Sequence, residues 1–238
     1  MKSMKVLWLI TARSGSKSIP HKNIKLLNGL PLLAYRIQSA LKSDFPESIW
    51  ISTDSHEYAQ IAKEHGAYVP FLRPSNLAQD SSTSTEVVLH VMKFADENKF
   101  DFDYIGLLEP TSPFVSEVDL NRAIDQLSKT EYAHSIVSVR ESRPHPIFIQ
   151  DDSKYLEKLA INIANLSKLG RQEFKKQITP SGGFYIAKWK PFIENMSFYT
   201  PKTLSYLVDD FAGLEIDEPI DFLFAEFIAK IKDISPKT

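Results

Sequence analysis

The sequence predicts a three-layer α/β fold in which a mostly parallel sheet is covered by helices on both faces. Short apolar runs typical of buried strands alternate with amphipathic helical patterns through the first 140 residues. Repeated β-α-β units of this kind build a parallel sheet with two covered faces. The 238 residues suffice for one such domain with a sizeable core, so we expect a single domain over residues 1–238.

The same patterns give the order of the elements. The predicted strands cover residues 6–10, 48–52, 67–72, 104–108, 135–139 and 182–189. The predicted helices cover residues 32–41, 57–65, 85–98, 119–127 and 219–231, and the last of them starts with a proline. A polar stretch at about 140–180 interrupts the alternation, and we expect it to form an inserted arm, a lid or an oligomer contact.

The composition excludes several classes of protein. A net charge of −2 provides no basic footprint for nucleic acid. The absence of cysteine excludes disulfides and thiolate metal sites and is compatible with the cytoplasm, where we expect the protein to work. No apolar run approaches the roughly 20 residues of a membrane span. We interpret the apolar run near the start as the first strand rather than as a signal peptide.

A loop of small and cationic residues connects the first strand to the first helix. Residues 12–23 contain three serines, one glycine and the cations Arg13, Lys17 and Lys22. Ligands of open α/β sheets bind at the carboxyl ends of the strands, where this loop is expected to lie. Because cations and backbone N–H groups beside small residues bind phosphate, the loop indicates triphosphate handling, with a solvated surface loop as the alternative. Neither the Walker spacing nor the dinucleotide-binding glycine pattern is present.

Three other polar segments lie at predicted element ends. Glu215 and Asp217 alternate before the last helix, so their carboxylates can share one face and bind Mg²⁺ together with phosphate oxygens. Arg73, after the third predicted strand, presents a fixed fork of donors that suits a pyrimidine. Asp54, after the second, can hold a lysine of the first loop or a helix N-terminus. On spacing alone, helix caps and a surface turn are the simpler explanations.

The first loop resembles the signature of the acylneuraminate cytidylyltransferases, the CMP-sialic acid synthetases and their relatives. That family has Ala-Arg-x-x-Ser-Lys after its first strand and then Pro-x-Lys-Asn, and the chain matches both between residues 12 and 23. Further segments that resemble the family's motifs follow in the family's order at 52–54, 73–80, 107–113, 171–186 and 215–217. The resemblance extends from residue 6 to about residue 226.

This resemblance implies a nucleotidyltransferase (Rossmann-like) fold with a partly mixed sheet and a dimerisation arm at about 140–180. It implies that the protein transfers CMP from CTP to an acylneuraminate-type (nonulosonic) sugar acid and releases pyrophosphate. Mg²⁺ would be the cofactor, and CTP and the sugar acid would be the substrates. We expect a homodimer, with neither nucleic acid nor a membrane as a partner.

The resemblance also assigns roles to the matched residues. The catalytic cations would be Arg13, Lys17 and Lys22. The nucleotide would be bound by Ala12, Arg13, Ser14, Asn23, Arg73, Asp80, Ser82 and Thr85, with Arg73 on the base. The sugar acid would be bound by Glu109, Thr111, Ser112, Arg171, Gln172 and Ser181. The metal ion would be held by Asp217 and Glu215.

Three matched positions depart from the family pattern. Glu109 stands where the family has a glutamine, Ser181 where it has an asparagine, and Glu215 where it has an aspartate. The first two changes favour a pocket unlike that of a standard sialic acid enzyme. The alternatives are therefore a cytidylyltransferase for a legionaminic-type sugar, an eight-carbon ulosonic acid or a phosphonate, or a non-catalytic nucleotide-binding protein on the same fold.

Overall fold

A six-stranded mixed sheet forms the centre of the computed structural model, which describes residues 4–142, 148–150, 156–158 and 177–231. The described strands are β1 (Val6–Thr11), β2 (Leu26–Leu27), β3 (Leu30–Pro31), β4 (Ile49–Ser52), β5 (Tyr104–Leu108), β6 (Ser135–Ser142), β7 (Phe148–Gln150), β8 (Leu156–Lys158), β9 (Gln177–Lys188) and β10 (Thr203–Leu207). The described helices are α1 (Leu32–Leu41), α2 (His56–Glu64), α3 (Ser84–Glu97), α4 (Glu117–Lys129), α5 (Trp189–Asn195) and α6 (Pro219–Ile231), with 3₁₀ turns at Lys22–Ile24 and Ser75–Leu77.

The strand order in the main sheet is β10-β6-β9-β5-β1-β4. The pairs β1–β4, β1–β5 and β6–β10 are parallel, whereas β9 runs antiparallel to both β5 and β6. The expectation of a mostly parallel, partly mixed sheet is therefore confirmed. The carboxyl ends of β1, β4, β5 and β6 meet at one edge of the sheet, and β9 starts at that same edge.

The alternation of side chains along β1 divides the core into two layers. Val6, Trp8 and Ile10 pack into a cluster with α1, α4 and α6, while Leu7 and Leu9 face α3 and α5 on the other side. All five are buried, as expected for a central strand covered on both faces. Gly106 lies opposite Trp8 on β5, and a Cβ at this glycine would overlap the indole ring. The predicted three-layer architecture follows from this packing.

The structure differs from the predicted elements at several places, and these include the unpredicted helix α5 and the start of β9 at Gln177 instead of residue 182. Residues 67–72 form only isolated bridges to Trp50 and Thr53, because Pro70 in their middle cannot donate to a ladder. The edge strand β10 was not predicted, since its half-exposed residues lack a clear apolar run. None of the described helices is both long enough and apolar enough to span a membrane.

Capping residues fix where two of the helices begin at the carboxyl edge. Thr83 and Glu86 form a reciprocal capping box at α3, and Ser116 and Asp119 form another at α4. Each box satisfies two backbone N–H groups that would otherwise lack partners. The connections that precede these helices, after β4 and β5, are thereby held beside the loop that follows β1.

Candidate active site

The loop after β1 is held in shape by polar side chains at both of its ends. Asn23 is buried, and its Nδ2 donates to the carbonyl of Arg13 at 3.0 Å. Near the start of the loop, the backbone N–H and the hydroxyl of Ser14 both donate to the carboxylate of Asp54, each at 2.8 Å. Asp54 therefore holds a serine of this loop rather than one of its lysines. The two ends of the loop are thereby fixed, and its cationic side chains Arg13, Lys17 and Lys22 line the cavity described next.

A polar cavity of about 400 Å³ opens between this loop, the connection from α2 to α3 and the connection after β5. Ten of the predicted site residues line it: Arg13, Lys17, Lys22, Asn23, Arg73, Asp80, Ser82, Glu109, Thr111 and Asp217. These residues come from segments that are up to about 200 positions apart in the sequence. The structure thus brings most of the predicted site together in one pocket at the edge of the sheet.

The lining also contains residues that the motifs did not single out: Thr11, Ser16, Ser18, Leu77, Gln79, Ser84, Val87 and Pro110. Each lies within a few positions of a predicted residue. The signal that could have found them is their place at the end of a strand or beside a matched motif. Their side chains are small, apolar or uncharged, so residue type alone carried no indication of a site.

Asp80 binds two cations of the first loop. Its carboxylate forms ion pairs with Nη1 of Arg13 at 2.8 Å and with Nζ of Lys17 at 2.5 Å. The hydrogen bond from Lys17 is the main cause that lowers the pKa of Asp80. All three side chains are substantially exposed, so these pairs are weak and easily exchanged. A phosphate group entering the pocket would compete with Asp80 for the same two cations.

Lys22 connects the first loop to the acidic segment before α6. Its Nζ donates to the carbonyl of Ile216 at 2.8 Å and lies 3.4 Å from a carboxylate oxygen of Asp217. The lysine side chain is 14% exposed, whereas that of Asp217 is 66% exposed. One buried cation thus meets one accessible carboxylate at the wall of the cavity, so both can interact with a polyanionic ligand.

Arg73 lies at the back of the cavity with its guanidinium held in place. It is buried, and it donates from Nε to the hydroxyl of Ser52 at 2.9 Å and from Nη2 to the carbonyl of the same residue. Burial lowers the pKa of Arg73 to about 10, although Asp54 opposes this shift. The side chain therefore stays charged at neutral pH and is oriented by the end of β4.

Two carboxylates in this region have raised pKa values. Burial, and secondly the charge of Glu215, raise the pKa of Glu109 to about 7, against the opposing effects of Arg73 and Lys22. Burial, followed by the charge of Asp217, also raises the pKa of Glu215. The negative charges of Glu215 and Asp217 disfavour the ionisation of Glu109, so a cation bound among these carboxylates would relieve the repulsion.

The donor set fits a magnesium ion that is completed by substrate. Within the described residues, no three histidine, aspartate or glutamate side chains are already arranged around a metal position. Mg²⁺ does not require such a cluster, because it commonly takes one or two carboxylates together with phosphate oxygens and water. Asp217, which lines the cavity, and Glu215 beside it supply two carboxylates of the required kind.

Several predicted residues lie outside the cavity lining. Ala12 is fully buried, Ser14 is occupied by Asp54, and Thr85 lies in the first turn of α3. Glu215 also lies behind the lining, where an added Cβ at Gly182 would overlap its carboxylate. Arg171 and Gln172, together with most of the predicted arm, lie outside the described residues.

Ser112 and Ser181 are fully buried and support the wall of the site instead of lining it. The pairing of β6 with β9 is irregular between Val137 and Val139, and Ser181 lies in the bulge that results. Its hydroxyl donates to Ser138, whose own hydroxyl bonds both the N–H and the carbonyl of Phe184. The hydroxyl of Ser112 donates to the carbonyl of Ser181 at 3.2 Å. These serines take over ladder hydrogen bonds that the bulge removes.

Comparisons with known proteins identify the family of the chain. A family model described as Cytidylyltransferase matches residues 7–172. A CMP-N,N'-diacetyllegionaminic acid synthase from Legionella pneumophila is 35% identical over 96% of this chain and 97% of its own. An N-acylneuraminate cytidylyltransferase from Escherichia coli is 32% identical over 96% of this chain, which spans only 53% of that relative's length.

Solved structures share the fold at low sequence identity. A CMP:2-keto-3-deoxy-manno-octonic acid synthetase complexed with CTP has a TM-score of 0.69 at 14% identity and covers 96% of this chain and 99% of its own. A 4-diphosphocytidyl-2C-methyl-D-erythritol synthase from Anaerococcus prevotii has a TM-score of 0.63, also at 14% identity, over 95% of this chain and 96% of its own. The match to the family model and the identity to full-length relatives establish membership, and the chain belongs to the cytidylyltransferase family, in the group of the acylneuraminate enzymes and their relatives.

Proposed function

We propose that this protein transfers CMP from CTP to a nonulosonic sugar acid of the acylneuraminate type and releases pyrophosphate. The observation that carries the proposal is that one cavity is lined by the loop cations, the buried Arg73 and the carboxylates of Glu109 and Asp217. A triphosphate needs the cations, and a metal ion bound to it needs the carboxylates. The names of the full-length relatives supply the class of acceptor.

In this mechanism the cations bind and orient the triphosphate. Arg13 and Lys17 leave Asp80 and hold phosphate oxygens, while Lys22, near the end of the same loop, supplies a third cation. Arg73 offers its charged donors to the cytosine. The anomeric hydroxyl of the acceptor forms a bond to the α-phosphorus as the bond to pyrophosphate breaks. The fixed positive charges beside the departing pyrophosphate stabilise the transition state, because these side chains do not have to reorient while the reaction occurs.

Magnesium is the cofactor that we propose for this reaction. When bound, it neutralises charge on phosphate oxygens and lowers the barrier to displacement. Asp217 and Glu215 would hold it. They are the carboxylates of the acidic segment before α6, and Asp217 lies beside Nζ of Lys22 at the cavity. We also infer that the protein works in the cytoplasm, a reducing compartment in which a chain without cysteine loses no disulfide.

A legionaminic-type acid is the second candidate acceptor, and Glu109 is the observation that favours it. A partly buried carboxylate facing the cavity accepts hydrogen bonds from N–H and O–H donors. A diacetylated acid carries two amide N–H donors of this kind. The relative that is 35% identical is a CMP-N,N'-diacetyllegionaminic acid synthase.

The test is pyrophosphate release from CTP and Mg²⁺ with a panel of acceptors. The panel contains N-acetylneuraminic acid, a diacetylated legionaminic acid, a pseudaminic acid, an eight-carbon ulosonic acid and a phosphonate. We expect release with a nonulosonic acid, a dependence on Mg²⁺ that EDTA abolishes, and little release when UTP replaces CTP. Binding of CTP without release for any acceptor would contradict the proposed reaction and favour a non-catalytic nucleotide-binding protein.

We further propose that the protein is a homodimer. One face of α6 exposes Ile220, Leu223, Phe224, Phe227 and Ile231, each at least half exposed and spaced at helical intervals. An apolar stripe of this size is typical of an interaction surface. Sedimentation velocity should give about twice the monomer mass of 27.1 kDa, and Phe227→Glu should lower that mass if the stripe lies in the interface.

A further inference from the structure

Arg36 of α1 is a fully buried cation beneath the candidate site. Its Nη1 donates to the carbonyl of Val115 at 2.8 Å, and its Nη2 donates to the carbonyl of Gly183 at 3.2 Å. Its Nε is buried and has no hydrogen-bond partner in the described part of the chain. Both guanidinium contacts are therefore to backbone carbonyls rather than to carboxylates.

The energetic cost of this arrangement indicates a specific role. Taking a cation out of water costs several kcal/mol even after relaxation, unless strong pairing compensates. Burial lowers the pKa of Arg36 to about 9, and only the more distant charges of Asp119 and Glu109 oppose the shift. An apolar side chain of similar size would fill the same volume in α1 without this cost. The contacts to Val115 and Gly183 are what such a replacement would lose.

Those two carbonyls belong to two segments next to the part of the pocket in which the proposed function places the acceptor. Val115 closes the segment 109–116 between β5 and α4, which carries Glu109 and Thr111 into the cavity. Gly183 lies in the bulge of β9, and an added Cβ there would come within 2.7 Å of the Val115 side chain. The two segments are thus in close contact at Gly183, and Arg36 donates one hydrogen bond to each of them.

We propose that Arg36 is a positioning residue for the acceptor, because it fixes segment 109–116 against the bulge of β9 and so sets where Glu109 and Thr111 face the cavity. This inference rests on the proposed function, in which the sugar acid occupies that half of the pocket. The nucleotide half is built by residues 12–23 and by Arg73, whose hydrogen bonds run to Ser52 and not to Arg36. Loss of the guanidinium should therefore act on one substrate only.

The experiment compares Arg36→Met and Arg36→Lys with wild type. Methionine fills the space without charge, and lysine keeps the charge but cannot span two carbonyls with a planar fork. Ser39→Ala is the matched control, because Ser39 is buried on the same helix and its hydroxyl donates to the backbone of Arg36. Affinity for CTP is measured by calorimetry without acceptor, and the acceptor KM and kcat are measured at saturating CTP.

We expect the acceptor KM of Arg36→Met to rise by about ten- to a hundredfold, as for a misplacement of about 1 Å, while the Kd for CTP stays within about twofold. Arg36→Lys should fall between Arg36→Met and wild type, and Ser39→Ala should match wild type in both constants. Hydrogen exchange should speed up in segment 109–116 and stay unchanged in residues 12–23.

A purely structural role predicts a different result. Thermal stability would fall, but both substrate constants would stay at wild-type values wherever the variant is folded, and this outcome overturns the proposal. An equal loss of CTP and acceptor affinity overturns it as well. If Arg36→Met does not fold, the substrate constants of Arg36→Lys and its hydrogen exchange in segment 109–116 decide between the two roles. Failure of wild type to use any acceptor refutes the proposed function, whereas unchanged hydrogen exchange at 109–116 in a folded variant refutes the role of Arg36.

Discussion

The carboxyl group of Glu109 should make the stability of the fold depend on pH in a defined direction. Its pKa is raised from 4.5 to about 7 in the folded chain, first by burial and then by Glu215. Between these two pH values, the folded state keeps a proton that the unfolded state has released. The stability that this group contributes is therefore fully present below about pH 4.5, falls as the pH rises towards 7, and then stays constant.

Replacement of Glu109 by glutamine removes this dependence and gives its magnitude. An interval of roughly 2.5 pH units corresponds to about 3 kcal/mol, and partial contact with water in the cavity reduces the expected effect to about 2–3 kcal/mol. Glu109→Gln and wild type should thus have similar free energies of unfolding near pH 4.5. At pH 8 the variant should be more stable by about 2–3 kcal/mol.

Urea unfolding followed by tryptophan fluorescence at pH 5, 6, 7 and 8, in EDTA, measures this difference. Comparison of two chains that differ only at position 109 cancels the titration of the other groups. Asp125→Asn is the control, because Asp125 is an exposed carboxylate paired with Lys129 and its replacement should give a small, nearly constant difference. A Glu109→Gln difference that is the same at pH 5 and pH 8, or that shrinks as the pH rises, would refute the reasoning.

Three further predictions concern the pocket. Lys22→Ala should lower kcat/KM for pyrophosphate release by about two orders of magnitude with unchanged circular dichroism. The reason is that the loss of this cation costs on the order of 3 kcal/mol in the transition state. Full activity of the variant would remove Lys22 from the mechanism. Asp80→Asn should lower the calorimetric Kd for inorganic pyrophosphate about two- to fivefold at low salt, because it frees Arg13 and Lys17. Weaker binding would mean that Asp80 itself helps to hold the ligand. Gly182→Ala should lower the free energy of unfolding by about 1–3 kcal/mol and reduce activity. The reason is that φ of Gly182 is +63° and an added Cβ would overlap the carboxylate of Glu215. A wild-type Tm for this variant would contradict this explanation.

Features encoded in local pattern were predictable from the sequence. Helices α1 and α6 were predicted with the observed bounds, since α1 follows a proline, α6 starts with one, and both carry a 3.6-residue period. The site edge was predictable because the carboxyl ends of parallel strands converge there, whatever the residues between them. Lys22 and Asp217 meet in the cavity for this reason, although 195 positions separate them.

Features that depend on burial were not predictable from the sequence. Nothing in the local pattern shows that Ser181 turns into the core at a bulge, because the bulge depends on register with β6. Arg36 sits in a helical pattern where an arginine normally faces water, and only the tertiary structure shows its contacts. Similarly, the sequence left a lysine of the first loop or a helix N-terminus as the partner of Asp54, whereas the folded loop brings Ser14 to it.

The reversed direction of β9 has a consequence for how this scaffold can diversify. Ser142 at the end of β6 lies directly opposite Gln177 at the start of β9, so the chain leaves and re-enters the sheet at neighbouring points beside the catalytic pocket. Lengthening a connection between fixed neighbouring ends costs only about 0.6 kcal/mol of loop entropy for each doubling. We therefore expect that relatives can exchange the segment between β6 and β9 at low cost in stability. Such an exchange would change the acceptor specificity and leave the nucleotide-binding residues unchanged.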